Sequence, residues 1–337
     1  MRLTRLYIVL VSLAAYSLAG ASSLFEDEEV LDVELTGPLH TLVKQKDERE
    51  EFPFVLRVDG TDHNIKVRAR GKSRLRVCDF PPLRLNFETG GMQETEFSGQ
   101  DGLKVVTHCR NRDSGDQNVL EEYTAYRIFS LFSDVSYRVR LLRMTYRDTD
   151  HRLKKGGQPH FGFVIEPKAH LSERTGAVPL SLSGLPIRRI NRDQAALVYV
   201  FQYLIGNTDW SFVLADDDNK CCHNGDLFEI DREIYYVPYD FDLAGLVNAT
   251  YAKPDPSLRL RNVRTRRYRG YCTDRQTLKE ALRTVKSMQT EVLNVVNETP
   301  GFSEKQLKKS VEYVTKFFEE AENEEKLLNL YEKRCID

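Results

Sequence analysis

Residues Asp193-Gln194-Ala195-Ala196-Leu197-Val198-Tyr199-Val200-Phe201-Gln202-Tyr203-Leu204-Ile205 are apolar nearly all the way round a helix. They stop at Gly206 and run directly into the polar loop Asn207-Thr208-Asp209-Trp210. A helix apolar on every side belongs in a core, and a glycine just past its end is the common left-handed stop. The stretch therefore predicts a buried helix that delivers a carboxylate, Asp209, into a packed loop beside the only tryptophan of the chain. It also marks a change of character, with strand patterns before it and helical patterns after it.

Working outward, residues 54–58 and 65–70 alternate apolar and polar around Asp59-Gly60 and predict a β-hairpin. Residues 83–87 and 103–106 continue as strands on either side of a Gly90-Gly91 loop, and residues 139–146 and 161–165 resume the pattern. Between them, residues 116–132 have a helical period, with Asp116 as the expected cap. Beyond Trp210, short strands at 227–230 and 234–237 lead into Pro238-Tyr239-Asp240-Phe241-Asp242. The C-terminal part predicts a helix over 277–296, opened by a Thr277/Glu280 capping box, and another opened by Ser303/Gln306. The expected class is α+β: a sheet-rich N-terminal lobe over 22–166, antiparallel with one helix, and a mainly helical C-terminal lobe over 167–337.

The first residues combine a short basic region with Arg2 and Arg5, an apolar run from Leu6 to about Leu18, and Ala19-Gly20-Ala21. That is the layout of a signal peptide over 1–21, and the run is shorter than the roughly 20 residues a membrane helix needs. The expected product is secreted or periplasmic, with no stable membrane insertion after cleavage. At a net charge of -2 for 337 residues, nothing pulls the chain generally toward nucleic acid, and 41% hydrophobic residues suffice for a sizeable core.

Six cysteines in an oxidising compartment predict disulfides. Cys78 and Cys109 lie at the ends of neighbouring strand-like segments and form an expected local pair. Adjacent cysteines bridge each other only with backbone strain, so Cys221 and Cys222 are expected to reach separately toward Cys272 and Cys335. A zinc site from Cys221, Cys222, His223 and Cys272 is the alternative, disfavoured by ligand spacing.

Polar groups set against apolar walls need partners. Such groups concentrate between Asn207 and Asp242, where Asp209, Asn224, Asp240 and Asp242 supply the carboxylate and amide oxygens that magnesium prefers. Asp240 and Asp242 bracket Phe241, so both project to one side of a strand and Phe241 to the other. Two carboxylates on one face repel unless a cation lies between them. Asp216-Asp217-Asp218 reads as a solvated loop.

The order of these residues, Asn207-x-Asp209, His223-Asn224 and Pro238-Tyr239-Asp240-Phe241-Asp242, resembles the catalytic end of the CotH and HipA-like atypical kinases. Upstream, Arg68-x-Arg70-Gly71, Lys104 and the helix bearing Glu122 look like their N-terminal lobe. Residues 103–109, 206–211 and 267–272 are similar to exported CotH-related proteins of unassigned function. The resemblance implies a two-lobed protein-kinase-like fold and phosphoryl transfer from ATP or a related nucleotide, with Mg²⁺ or Mn²⁺, to a protein or small-molecule hydroxyl. Lys104 would hold the phosphates, oriented by Glu122; Asp209 would orient or deprotonate the hydroxyl; Asn224, Asp240 and Asp242 would bind the metal. Arg70 and Gly71 would approach phosphate, and residues 162–166, ending at Glu166, would form the hinge near adenine. The chain departs from ordinary protein kinases in lacking G-x-G-x-x-G and in spacing Asp209 and Asn224 by 15 residues rather than roughly five.

Arg259, Arg261, Arg264, Arg266, Arg267 and Arg269 crowd one segment, which fits an acidic or phosphorylated protein partner or, equally, internal ion pairs. Two other functions compete with phosphotransfer. One is a non-catalytic binding or envelope-structural protein; the other is a metal-dependent hydrolase with His223 or His108 activating water. Asn248-Ala249-Thr250 and Asn297-Glu298-Thr299 are glycosylation sequons if the host glycosylates.

Overall fold

The computed structural model describes residues 23–87, 92–93, 95–110, 112–152, 157–182, 184–185, 187–215 and 221–336. The expected signal peptide, the Gly90-Gly91 loop and Asp216-Asp217-Asp218 lie outside them.

Alternation builds the first half. β1 (Leu31–Gly37) turns Leu31, Val33 and Leu35 inward and its acidic residues outward. After the short α1 (Leu39–Lys44) come β2 (Phe52–Val58) and β3 (Thr61–Ala69), the hairpin expected at Asp59-Gly60, where both residues have positive φ. A short helix, α2 (Ser73–Val77), precedes β4 (Leu83–Phe87) and β5 (Gly102–Val106). The long α3 (Asp113–Phe132) then leads to β6 (Val139–Asp148) and β7 (Pro159–Ile165).

These seven strands close into a barrel in the order β1-β2-β3-β4-β5-β7-β6. The closure overturns the expected two-lobed kinase-like fold with an antiparallel sheet lobe. β1 pairs antiparallel with β2 but parallel with β6, from Leu31 opposite Leu142 to Gly37 opposite Asp148. The sheet is therefore mixed and has no open edge between its first and last strands. Leu56, Val67, Leu83, Leu85, Leu103, Val105, Leu142 and Val164 fill the barrel. Each such side chain contributes roughly 1.5–3 kcal/mol by leaving water.

The period of two sends the intervening residues out through the wall. Val106 of β5, Leu141 of β6, and Phe163 and Ile165 of β7 face a second, larger core built on α3. α4 (Lys168–Thr175) and β8 (Val178–Leu180) follow, then the buried α5 (Arg192–Ile205), which stops at Gly206 in the left-handed conformation with φ 66°. β9 (Ser211–Ala215) pairs with β10 (Cys221–His223), while β11 (Gly225–Ile230) lies between β12 (Glu233–Pro238) and β8.

The expected helix over 277–296 is two helices, α6 (Arg275–Ser287) and α7 (Gln289–Glu298), broken at Met288. Asp274, not Thr277, caps α6 by accepting from Thr277 N at 2.9 Å. Ser303 caps α8 (Glu304–Glu322) as expected, and α9 (Glu324–Arg334) completes the chain. Asp116 does not cap α3: it lies in the first turn and accepts from Phe161 N at 2.9 Å, tying the helix to β7. No helix among the described residues is long and apolar enough to cross a membrane.

All six cysteines form disulfides. Cys78–Cys109 is the local pair expected. Cys221 and Cys222 bond to each other, and Cys272 bonds to Cys335, which overturns the expected cross-pairing and removes the zinc alternative. The backbone explains the last bridge: Cys272 N donates to Ile336 O and Ile336 N to Gly270 O, which lays the two cysteine Cα atoms 4.9 Å apart. Three disulfides are consistent with a secreted or periplasmic protein.

The Cys272–Cys335 bridge spans 63 residues, so its loss frees a long loop in the unfolded chain. Replacing both cysteines by serine should lower unfolding free energy by about 4 kcal/mol in urea titrations, against little change if the bridge is idle.

Candidate functional site

Lys104 lies between Leu103 and Val105, whose side chains fill the barrel, so the alternation turns it outward. It enters a cavity of about 430 Å³ bounded by the barrel wall, α2, α3, the start of α4 and the end of β12. Arg70, Lys72, Arg74, Arg84, Lys104 and Lys168 bring the positive charge, Asp101, Glu122, Glu166 and Asp240 the negative, and Gly71 lines the wall between Arg70 and Lys72. Val106, Ile165, Tyr137 and Tyr239 supply apolar wall.

Two of the cations lack a close ion pair, although the Asp240 charge acts on Arg70 and the Asp226 charge on Lys104. Among the described residues, neither Arg70 nor Lys104 makes an ion pair; Lys104 has the face of Tyr239 at 5.8 Å instead. Burial, followed by the neighbouring Arg70, pushes the Lys104 ammonium down to about 8. Burial likewise lowers Arg70. Cations left unpaired beside a cavity are an anion site in search of its anion. Gly71, at φ +101°, carries the chain round in a conformation that a side chain would strain.

Next to Arg70 a single guanidinium collects three carboxylates. Arg74 of α2 donates from Nη2 to Glu122 Oε2 at 2.5 Å and from Nε to Asp242 Oδ2 at 2.8 Å, and Asp240 Oδ1 lies 3.5 Å from Nη2. Burial lowers the Arg74 pKa, but Asp242 and Glu122 outweigh it and hold the group well above the ordinary arginine value. Burial raises Glu122 despite Arg74, and burial together with the Asp242 charge pushes Asp240 up to about 6. The expected strand does not carry Asp240 and Asp242: β12 ends at Pro238 and Asp240 has φ 61°, so a turn brings both carboxylates to Arg74 while Phe241 is fully buried against Tyr126 and Phe201.

A second polar group stands next to this one. Asp209 Oδ1 meets His223 Nε2 at 3.0 Å, and Asn224 Nδ2 donates to Asp209 Oδ2 at 2.9 Å and to its backbone O at 2.8 Å. The loop behind Asp209 is fixed by Asn207 Oδ1, which accepts from Asp209 N at 2.9 Å, and by Arg269, which donates to Thr208 O at 2.5 Å. Tyr239 N donates to Asn224 O, which joins this group to the Asp240 turn, and the charge of Asp209 helps to raise Asp240.

The residues singled out from sequence thus divide. Arg70, Gly71, Lys104, Glu122, Glu166 and Asp240 line one cavity; Asp209, Asn224 and Asp242 stand behind it. Glu122 has Arg74 as its partner where the resemblance implied Lys104. Glu166 reaches the cavity, but its carboxylate is held by Arg174 at 2.8 and 3.1 Å and by Arg138 N at 3.1 Å. His108 is stacked between Phe80 and His160. Of the arginine segment, Arg266, Arg267 and Arg269 donate to backbone carbonyls and Arg264 lies over Tyr313, so only Arg259 and Arg261 are left exposed. Arg74, Arg84 and Lys168 escaped the sequence reading, although the basic run from Arg68 to Arg76 announces the first of them.

No family model matches the chain, and no curated protein matches it. Among solved structures it is weakly similar to the proinflammatory kinase CtkA of Helicobacter pylori. The TM-score is 0.35 at 11% identity, over 84% of this chain and 91% of that one. So loose a likeness fixes neither fold nor activity.

The ammonium of Lys104 is present below about pH 8 and lost above it. With ATP as the anionic probe in calorimetry, affinity should fall about tenfold between pH 7 and 9.5, the loss of one charge-assisted contact. Lys104→Arg should remove most of that slope; an unchanged slope would exclude Lys104 from the anion site.

Proposed function

We propose that this protein is a nucleotide-dependent phosphotransferase whose cavity takes a polyphosphate together with a divalent cation. The observation that carries the reading is that one cavity is lined both by Arg70 and Lys104, cations without a close ion pair, and by Glu122 and Asp240 of the Arg74-centred cluster. Phosphoryl transfer needs such positioning and charge neutralisation more than covalent chemistry. Arg70 and Lys104 hold phosphate oxygens, and the apolar wall of Val106, Ile165 and Tyr137 receives the base.

The donors fit a hard cation. Asp240 offers a carboxylate that burial and the neighbouring Asp242 charge raise to about 6, and Asn224, with its amino group turned to Asp209, keeps its carbonyl oxygen for another partner. Bound there, Mg²⁺ or Mn²⁺ would neutralise phosphate charge. Asp209, fixed by His223 and Asn224, orients an acceptor hydroxyl and takes its proton as the phosphoryl group leaves the nucleotide.

A binding-only role is the second reading, favoured by the fact that Glu122 and Asp242 already have a cation in Arg74. Both readings expect Mg-ATP to raise the melting temperature. Transfer of labelled phosphate from ATP to acceptor proteins or to the chain itself separates them. Asp209→Ala and Asp240→Ala should each lower transfer by about 10²–10⁴-fold. Stabilisation without transfer leaves the binder; neither effect ends both readings.

A further inference from the structure

The acidic residues around the cavity are not equivalent, and their differences bear on how many cations the site can hold. Asp242 is 6% exposed in its side chain, and its Oδ2 accepts from both Arg74 Nε at 2.8 Å and Tyr251 Oη at 2.9 Å. Glu122 is buried too, with Oε2 on Arg74. Asp240 differs: its side chain is 45% exposed, it faces the cavity, and its nearest cation is 3.5 Å away. A hydrated divalent ion gives up its waters reluctantly and so enters where a carboxylate is accessible. That carboxylate is Asp240.

Arg74 occupies the ground between the other two. Its guanidinium cannot lose its proton, is anchored by α2, and already meets the carboxylates that a second ion would need. The remaining oxygen of Glu122, Oε1, is buried at the cavity and has no hydrogen-bond partner among the described residues. It shows that the pocket around Arg74 still has acceptor capacity, which a second ion could use only if the guanidinium were gone.

Resting on the phosphotransferase reading above, we infer that the site takes a single divalent cation, on Asp240, and that Arg74 stands in the place of a second, with Glu122 and Asp242 as its ligands. Asp242 is then a positioning residue for Arg74 rather than a metal ligand. In the transfer step Arg74 supplies fixed positive charge close to the phosphates without the exchange that a bound ion would undergo.

Counting Mn²⁺ by electron paramagnetic resonance, with the disulfide-intact chain saturated by a non-hydrolysable ATP analogue, tests this without measuring activity. The wild type should bind one ion, and Asp240→Asn should weaken it by about 100-fold or more, as expected for loss of a first ligand. Asp242→Asn should keep the ion within about threefold, and Arg74→Lys should also keep a count of one. Arg74→Gln should gain a second, weaker ion at Glu122 and Asp242. If that variant does not fold, the Asp240/Asp242 contrast still decides. Two ions in the wild type, or equal loss in Asp240→Asn and Asp242→Asn, overturns the inference while leaving phosphotransfer standing. Nucleotide binding without any ion overturns it as well, and absence of both nucleotide and ion overturns the reading beneath it.

Discussion

The buried guanidinium of Arg74 is where three distant parts of the chain are joined by charge. α2 contributes the arginine, α3 contributes Glu122, and the turn after β12 contributes Asp240 and Asp242. A charge this far from water is tolerable only with partners, and removing one partner from such a cluster typically costs roughly 3–5 kcal/mol. The ion cluster therefore fixes the distance between the barrel and the helical core, and with it the width of the cavity. A covalent tie supports it. Cys78 closes α2 and is bonded to Cys109, just beyond the strand that carries Lys104. Arg74 in the acidic cluster and Lys104 on the barrel wall are thereby held to one short frame.

The barrel provides the other half of the constraint. Because strand side chains alternate, the same β5 that fills the interior with Leu103 and Val105 must present Lys104 outside. Its antiparallel neighbours place Arg84 on one side and Ile165 on the other. One wall thus offers charge and apolar surface together, which is what a nucleotide requires. Closure through β1 and β6 removes the freedom of the sheet to slip, since a one-residue shift would bury Lys104.

Most strands were legible because alternation and turn residues are local signals. The hairpin at Asp59-Gly60, the strand at Lys104 and the buried helix ending at Gly206 all follow from neighbours within a few residues. β1 carries the same alternation from Leu31 to Leu35, yet what makes it decisive is its parallel pairing with β6, more than a hundred residues away, and that has no local signature. The fold class was misread for that reason. Arg74 failed differently: α2 has five residues, too few for a period to show, and a basic run reads as surface until its acidic partners are brought to it. The adjacency of Cys221 and Cys222 argued against their bridge, and only the return of Ile336 to Gly270 supplies Cys272 with another partner.

Asp240 and Asp242 converge on Arg74 through the turn after β12, not through the strand alternation that their spacing suggested, and their different exposure depends on Tyr251 and Arg74. The proposed function rests on Arg70 and Lys104 lining one cavity without a close ion pair, where the proposal puts a polyphosphate. A crystal structure with a non-hydrolysable ATP analogue and Mn²⁺ examines this directly. It should place phosphate oxygens within hydrogen-bond distance of both side chains and the anomalous manganese peak at Asp240. Analogue bound elsewhere, with the two side chains paired to protein carboxylates, would contradict the account.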